Sequence, residues 1–364
     1  MICSQLNELA YLDFGQQMFN NVGQQHIPLI VSAEVTMRCN LRCKHCYIPM
    51  AMRKGPDYQE LSLKEYEKYF AEFADAGTLW LLLTGGEPFL RPDFLEIYDA
   101  AKRQGFIITI FTNGTLIQEH HLKHLAEYRP FNVEITLYGA TQQTYEGVTG
   151  VPGSYQRCMQ AIEGILAHNL PLKLKSTLST LNVHELNQME KLAESFGLQF
   201  YFDPVISSRI DGDHTPLQYR LTADRIAAIE ARDENRAREW HHLYNLDFDL
   251  EDRAGKMYIC GAGRTGLHMD STGKLSLCMS SRAPQYDLRR GSFQQAWDVF
   301  FPELIERQNS RKILCHDCAL RGVCGACPAS AYIEVGDFEG VDPLACELTH
   351  ERAKIFLAKT TKVE

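Results

Sequence analysis

Three cysteines within eight residues constrain this chain more than any other feature of its sequence. They are Cys39, Cys43 and Cys46, and their spacing is C-x3-C-x2-C. Three thiolates can hold three irons of a 4Fe-4S cluster and leave the fourth iron open to another ligand. The alternative is a zinc loop with a distant fourth ligand, although zinc loops usually pair C-x2-C units. The spacing therefore favours an iron–sulfur site with one open iron.

Apolar strands alternate with helical stretches between about residues 28 and 204. The predicted strands are 29–36, 79–83, 106–111, 131–137, 172–179 and 198–203. The predicted helices are 62–76, 92–104, 118–127, 154–168 and 184–196. Six strand–helix units in sequence predict a parallel sheet with outer helices. A further polar helix is predicted over 221–242, with Thr222 as its N-cap, while Ser62 and Glu65 form a capping box for the first helix.

A second motif identifies the family that this chain resembles. A predicted strand runs into Gly85-Gly86-Glu87-Pro88 about forty residues after the cysteine loop, and Tyr47 follows the last cysteine. Together with the loop, this turn resembles the radical S-adenosylmethionine superfamily. The resemblance implies a partial (β/α)6 TIM-like barrel of the α/β class, with its site at the carboxyl ends of the strands. It also implies that S-adenosyl-L-methionine binds the open iron and is cleaved to a 5'-deoxyadenosyl radical.

The resemblance assigns cofactor contacts to the strand ends. The GGEP turn would meet the methionine amino group and Thr136 the ribose, at a position where many relatives carry serine. Thr149 stands where relatives often carry an arginine, so Ser176 or Lys175 is expected to contact the cofactor carboxylate instead. Tyr138 replaces a common aspartate, and ordinary strand packing is the alternative for these strand residues. The candidate cofactor-binding residues are Tyr47, Gly85, Gly86, Glu87, Thr112, Asn113, Thr136 and Ser176.

Composition limits the partners and the compartment. The net charge is −9 and no dense Lys/Arg tract occurs, which disfavours nucleic acid or an anionic membrane as main partner. No apolar run reaches the ~18 residues that a membrane span needs. The start of the chain lacks the basic region and apolar core of a signal peptide, so we expect a cytoplasmic protein. Twelve cysteines in a 364-residue chain of this kind indicate metal ligation rather than disulfides.

Seven more cysteines lie in the last third of the chain, in a pattern that resembles the SPASM extension of radical S-adenosylmethionine enzymes. Their core is C-x2-C-x5-C-x2-C, whereas the family core usually ends C-x3-C. A zinc ribbon is the alternative for such pairs. The candidate ligands are Cys260, Cys278, Cys315, Cys318, Cys324, Cys327 and Cys346.

The resemblance divides these seven cysteines between two auxiliary 4Fe-4S clusters. It gives Cys315, Cys318, Cys324 and Cys346 to one cluster with four thiolates. It gives Cys260, Cys278 and Cys327 to the other. Three thiolates leave an iron that either binds substrate or is closed by a protein group, and the candidates are His268, Asp270 and His316. Cys3 and Cys158 remain, and Cys158 is expected to be a buried thiol in a helix.

These features predict the following organisation and function. The domains are a lead-in (1–27), the barrel (28–205), a helical connector (206–256) and the SPASM domain (257–364). Members of the SPASM group mostly modify peptides, so the leading prediction is an enzyme that modifies a ribosomally synthesised precursor peptide by crosslinking, backbone rearrangement or excision, or oxidation. The predicted partners are that peptide, a separate small peptide-recognition protein, and an electron donor such as flavodoxin or ferredoxin. The alternatives are a radical dehydrogenase of a small molecule and a non-catalytic electron carrier, and no catalytic acid or base is assigned.

Overall fold

The computed structural model describes residues 25–53, 58–246, 255–311 and 313–357, together with Gly15, Met18 and Val22. Within these residues, strands and helices alternate as predicted, and the α/β class with a parallel sheet is confirmed. Cys3 and most of the predicted lead-in lie outside the described residues. The first six strands are β1 (Ile30–Thr36), β2 (Trp80–Gly85), β3 (Ile107–Thr112), β4 (Asn132–Thr136), β5 (Leu172–Thr177) and β6 (Phe200–Asp203).

Helices pack between these strands in chain order. They are α1 (Leu63–Asp75), α2 (Phe94–Arg103), α3 (Glu119–Glu127), α4 (Gln142–Thr149), α5 (Ser154–Ala167) and α6 (Leu186–Ser195). The Ser62–Glu65 capping box is present at the start of α1. Helix α4 was not predicted from the sequence; Thr141 begins it by accepting a hydrogen bond from the backbone N–H of Thr144. This additional helix supports the cysteine loop, as described below.

The prediction of one continuous helix over 221–242 is wrong, because the helix is interrupted at Asp233. Two helices take its place, α7 (Ala223–Arg232) and α8 (Glu234–Tyr244). The Asp233 carboxylate accepts hydrogen bonds from the backbone N–H groups of Asn235 and Arg236, which makes it the N-cap of α8. Thr222 holds the N-cap position of α7, but its side chain makes no capping hydrogen bond within the described part of the chain.

The C-terminal region continues the sheet of the barrel. Its elements are β7 (Gly266–Met269), β8 (Lys274–Ser276), β9 (Tyr286–Asp287), α9 (Phe293–Gln295), α10 (Phe301–Ile305), α11 (Pro328–Val335) and α12 (Pro343–Phe356). The described strands form one sheet in the order β6-β5-β4-β3-β2-β1-β7-β8-β9. Strand β7 pairs parallel to β1, with His268 opposite Ser32, while β8 and β9 are antiparallel. The segment that the sequence assigns to a separate domain therefore bonds directly to the first strand of the barrel.

Side chains of β1 alternate between the core and the interior of the barrel. Val31, Ala33 and Val35 are buried in the hydrophobic core. Ser32 and Glu34 lie on the other face, as the period of two along a strand requires. Within the described ranges, no helix is long and apolar enough to cross a membrane.

Candidate radical site at the carboxyl ends of the strands

The cysteine loop follows β1 and is held by the last turn of α4. The backbone N–H of Arg42 donates to the carbonyl of Thr149 at 2.9 Å, and that of Lys44 donates to the carbonyl of Val148 at 3.1 Å. These bonds use helix-end carbonyls that have no partner inside the helix. The loop is thereby fixed against the barrel, and all three of its thiols are unbridged.

Cys39, Cys43 and Cys46 line a cavity of about 240 Å³. The ends of β2, β3 and β4 form its other walls, as expected for a site at the carboxyl ends of parallel strands. Of the eight candidate cofactor-binding residues, six line this cavity. They are Tyr47, Gly85, Gly86, Thr112, Asn113 and Thr136.

Gly85 and Gly86 allow two stretches of backbone to pass very close together. A Cβ on Gly85 would lie 2.2 Å from the carbonyl oxygen of Thr36, and one on Gly86 would lie 2.3 Å from that of Arg38. Gly85 also has a φ of +139°, which side chains rarely tolerate. The backbone N–H of Gly86 donates to the Thr36 carbonyl at 2.8 Å. The glycines therefore fix the turn beside the cysteine loop.

Glu87 lies behind this cavity. Its side chain is fully buried and accepts hydrogen bonds from the Thr112 hydroxyl at 2.7 Å and from the backbone N–H of Asn113 at 2.8 Å. The N–H of Phe89 also donates to it, at 3.1 Å. Burial raises the pKa of Glu87 to about 7, against the effect of these hydrogen bonds. These hydrogen bonds give Glu87 a bracing role, in which it ties the end of β2 to the end of β3. Its contact with the cofactor ammonium stays a prediction.

Asn113 connects the end of β3 to the cysteine loop. Its amide nitrogen lies 3.8 Å from the Cys39 sulfur and donates to the side-chain oxygen of Asn40 at 3.0 Å. Asn40 in turn donates to the Thr115 hydroxyl at 2.7 Å. Sequence reasoning did not single out Asn40, although it lies next to a candidate iron ligand.

His45 and Tyr138 also border the thiols. Tyr138 hydrogen-bonds to Cys43, and burial together with the three neighbouring thiolates raises its pKa well above the ordinary value. The His45 ring lies 5.4 Å from that of Tyr138, centre to centre, and its Nδ1 has no hydrogen-bond partner among the described residues. Burial lowers the pKa of His45 to about 4. A neutral imidazole and a phenol thus lie beside the thiols. The phenol is that of Tyr138, which the sequence analysis noted only as the replacement of a common aspartate.

A second cavity, of about 470 Å³, adjoins the first and shares Tyr47, Phe111 and Thr136 with it. Lys175 and Ser176, the candidates for the cofactor carboxylate, line this second cavity. Lys175 donates to Glu134 at 2.9 Å and lies over the Phe111 ring. Burial lowers the pKa of Lys175 to about 8.

Thr149 takes no part in either cavity wall. It is fully buried, and its hydroxyl is 2.9 Å from that of Ser154. The arginine that relatives often carry at this place therefore has no counterpart here.

Comparison with known proteins agrees with this geometry. Residues 33–196 match the model of the radical SAM superfamily. These residues are a radical SAM domain. The match begins within β1 and ends after α6, so it contains the cysteine loop and the GGEP turn.

Relatives and solved structures extend the similarity beyond the radical SAM domain. The AdoMet-dependent heme synthase of Methanosarcina barkeri is 25% identical over 345 residues, covering 88% of this chain and 97% of that protein. The PqqA peptide cyclase of Rhizobium meliloti is 25% identical over 336 residues, covering 87% and 86%. The structure of Streptococcus suis SuiB bound to precursor peptide SuiA has a TM-score of 0.68 at 17% identity, covering 96% of this chain and 83% of that one. At 17% identity, the match to the SuiB structure shows similarity of fold alone.

Downstream of the radical SAM domain, the electrostatic contacts among the seven C-terminal cysteines fall into two groups. In the first, burial and the charges of Cys324, Cys346 and Cys318 raise the pKa of Cys315. The Thr349 hydroxyl of α12 contacts the Cys324 sulfur at 3.4 Å. Five of the seven cysteines line one cavity, so the cavity itself does not separate Cys327 from the others: Cys315, Cys318, Cys324, Cys327 and Cys346.

The second group is Cys260, Cys278 and Cys327. Burial raises the pKa of Cys327, and the charges of the other two add to this shift. Cys327 precedes α11, and the backbone N–H groups of Ala329 and Ser330 donate to its sulfur. In the described ranges, no three His, Cys, Asp or Glu side chains are arranged as the ligands of a single metal ion. The grouping of the cysteines therefore rests on their mutual electrostatic contacts.

Two of the three groups suggested to close the second cluster serve elsewhere. His268 is fully buried in β7, where its Nδ1 is 2.8 Å from the Ser32 hydroxyl and its Nε2 is 3.7 Å from Glu34. Asp270 accepts hydrogen bonds from Thr272 and Lys274 in the turn before β8. The side chain of His316 lies outside the described part of the chain. These contacts hold His268 in the sheet and Asp270 in the turn that follows β7.

Cys158 lies apart from all three cysteine groups. It is fully buried in α5, and burial raises its pKa to about 12. The prediction of a buried structural thiol is confirmed.

Proposed function

We propose that this protein is a radical S-adenosylmethionine enzyme that modifies a ribosomally synthesised precursor peptide. The observation that carries the proposal is the continuity of two cavities. The first contains the cysteine loop, and the second leads from it to Met279 and Ser280, directly after Cys278. A substrate group in the second cavity would therefore lie between the radical site and an auxiliary cysteine group.

The residues of the first cavity fit the implied cofactor. Cys39, Cys43 and Cys46 would hold the cluster, whose chemistry with S-adenosylmethionine supplies a 5'-deoxyadenosyl radical. Gly85 and Gly86 present backbone at the cavity without side chains in the way. Thr136 offers a hydroxyl for the ribose, and Lys175, in the wall of the adjoining second cavity, offers a cation for the carboxylate. Positioning of this kind accounts for much of the rate in reactions between two bound groups.

A peptide substrate is favoured by the relatives. The PqqA peptide cyclase acts on a peptide by its name, and the match covers most of both chains. The second cavity has an apolar and aromatic rim that includes the exposed side chains of Tyr201 and Val205. Such a rim suits peptide side chains, which are recognised largely through apolar contacts with a few polar groups.

The C-terminal cysteines complete the proposal. Cys315, Cys318, Cys324 and Cys346 would hold one auxiliary cluster, and Cys260, Cys278 and Cys327 a second. A separate small peptide-recognition protein, an electron donor such as flavodoxin or ferredoxin, and a cytoplasmic location belong to the same proposal.

In the test, the protein is co-expressed with the peptide encoded by a short reading frame beside its gene, and the peptide is analysed by mass spectrometry. Cleavage of S-adenosylmethionine is assayed in parallel with purified protein that has been reconstituted with iron and sulfide without oxygen. We expect a mass change that depends on wild-type protein and is lost in Cys43→Ala. An unmodified peptide, together with cleavage of S-adenosylmethionine by the protein alone, would reject the peptide and retain the radical chemistry. Intact clusters without any cleavage would favour an electron carrier.

A small-molecule substrate is the second candidate, because the heme synthase relative matches over 97% of its length. The same protein preparation is therefore incubated with porphyrin carboxylic acids in place of the peptide. Product formation with a porphyrin and not with the peptide would decide for this candidate.

A further inference from the structure

A buried ion pair joins the C-terminal region to the interior of the barrel. The two terminal nitrogens of Arg282 lie 2.7 and 3.1 Å from the two carboxylate oxygens of Glu34. The Glu34 side chain is fully buried, and that of Arg282 is 11% exposed. A two-pronged arginine–carboxylate contact fixes direction as well as distance.

The same carboxylate holds the residue that follows the cysteine loop. The Tyr47 hydroxyl donates to Oε1 of Glu34 at 3.0 Å, on the atom that also receives the shorter Arg282 bond. Tyr47 lines both cavities and directly follows Cys46 in the sequence. Glu34 therefore helps to hold the end of the cysteine loop, together with the backbone N–H of Ile210, which donates to the Tyr47 carbonyl at 3.0 Å.

Arg282 is itself anchored beside an auxiliary cysteine. Its Nε donates to the carbonyl of Met279 at 2.8 Å, and Met279 follows Cys278 and lines both cavities. Contacts thus run without a break from Cys278 through Arg282 and Glu34 to Tyr47 and Cys46.

The charge of Glu34 depends on this arrangement. Burial alone would raise its pKa, but contacts with His268 and Arg282 hold that pKa well below its ordinary value. Removal of the guanidinium would leave a buried carboxylate without its main counter-charge, and the carboxylate would shift or take up a proton. In either case the acceptor of the Tyr47 hydroxyl would change.

Given the function proposed above, we propose that Arg282 is a positioning residue for the S-adenosylmethionine pocket. Through Glu34 it sets the place of Tyr47, so that the C-terminal region controls the geometry of the radical site. Arg282 lies outside the matched radical SAM domain. The Glu34–Tyr47 hydrogen bond links its guanidinium to the end of the cysteine loop.

The experiment compares Arg282→Met with Arg352→Met. Arg352 forms a matched pair with Glu230, with two contacts of 2.7 Å and side chains 12% and 2% exposed. That pair joins α12 to α7 away from both cavities. Each reconstituted protein is assayed for iron content, thermal unfolding, affinity for S-adenosylmethionine by equilibrium dialysis, and the change that S-adenosylmethionine causes in the EPR spectrum of the reduced clusters.

We expect Arg282→Met to weaken S-adenosylmethionine binding about tenfold and to reduce the EPR change. Arg352→Met should bind as wild type does even if its unfolding temperature falls equally. Arg282→Lys keeps the positive charge but cannot make the two-pronged contact with the carboxylate. Its affinity for S-adenosylmethionine should therefore lie between those of wild type and Arg282→Met. Tyr47→Phe should reproduce the EPR effect with the ion pair intact, and it carries the test if Arg282→Met does not fold.

Wild-type affinity and an unchanged EPR response in Arg282→Met, or in Tyr47→Phe if the former does not fold, would overturn the positioning role. Equal loss of binding in Arg352→Met would reduce the effect to general stability and overturn it as well. Failure of the wild-type protein to bind S-adenosylmethionine would instead reject the proposed function. Failure to modify a peptide, with normal cofactor binding, would leave the role of Arg282 standing.

Discussion

At the scale of single residues, the polar groups around the candidate radical site are largely hydrogen-bonded to one another. Glu87 shows this most directly, because its carboxylate receives three donors from two strand ends. The GGEP turn alone suggested a direct cofactor contact for this side chain. The burial that assigns it a bracing role depends on how β2 and β3 pack, which the local sequence does not encode.

Glu87→Ala is expected to lower both stability and cofactor binding. It leaves the Thr112 hydroxyl and the N–H groups of Asn113 and Phe89 without an acceptor, at about 1–3 kcal/mol for each buried group left unpaired. Urea unfolding measures the loss, and equilibrium dialysis measures S-adenosylmethionine binding. The exposed Glu163 of α5 gives the control variant Glu163→Ala. Weaker binding at unchanged stability would contradict the bracing role and restore the direct contact.

Lys175 should make cofactor binding depend on pH. Burial lowers its pKa to about 8, so the side chain is charged below that pH and becomes neutral as the pH rises through it. If its ammonium holds the cofactor carboxylate, the dissociation constant should rise about tenfold between about pH 7 and pH 9. Lys175→Met should bind weakly throughout this range.

The control for this prediction is Lys173→Met, on the same strand with an exposed side chain. The amino group of S-adenosylmethionine titrates equally in all three proteins, so only the difference between their pH profiles reports on Lys175. Parallel profiles for wild type and Lys175→Met would assign the carboxylate contact to another group, such as Ser176.

At the scale of elements, strand and helix positions followed from local patterns, and the failures have specific causes. The period of hydrophobic residues located both ends of each strand from β1 to β6 to within two residues. The break at Asp233 was missed because an aspartate within a polar helix pattern resembles any other surface residue. The addition of β7 to the barrel sheet was missed because pairing between residues 30–33 and 266–269 leaves no local signal.

The turn after β2 should tolerate no side chain. In Gly86→Ala, the new Cβ would lie 2.3 Å from the Arg38 carbonyl oxygen, so the backbone next to Cys39 must move. We expect loss of the iron held by the cysteine loop, measured as iron per chain after reconstitution. Gly147→Ala is the control, because that glycine of α4 has open space around it and alanine there should stabilise the helix by about 0.5–1 kcal/mol. Full iron content in Gly86→Ala would show that the turn can move without disturbing the loop.

At the scale of the whole molecule, the two regions form one continuous structure around the two cavities. The C-terminal region contributes strands to the barrel sheet, Met279 and Ser280 to the cavity wall, and Arg282 to the barrel interior. Motif spacing and the family resemblance predicted the iron ligands and their division into sets, and both stay predictions. It gave no hint of the Glu34–Arg282 pair, since an arginine four residues after a cysteine is unremarkable in sequence. The C-terminal region therefore contributes side chains to the candidate radical site as well as the candidate ligands of further clusters.

The division of the auxiliary cysteines gives a prediction that neighbouring residues can test. Cys324 and Cys327 are three positions apart, yet the proposed division places Cys324 with Cys315, Cys318 and Cys346, and Cys327 with Cys260 and Cys278. Their electrostatic contacts support this division. With three clusters the wild-type protein should hold about twelve irons. Cys324→Ala and Cys327→Ala should each lose one cluster of about four irons, and the double variant should lose about eight.

Cys318→Ala/Cys324→Ala is the matched double variant, because both of its sites fall within one set and it should lose only about four irons. Cys158→Ala should keep all of the iron, since that thiol is buried in α5 away from the three groups. Iron and zinc per chain are measured together after anaerobic reconstitution. Equal losses of iron in the two double variants would place Cys324 and Cys327 on one cluster and contradict the division. Stoichiometric zinc would show that the auxiliary region holds a zinc site rather than iron–sulfur clusters.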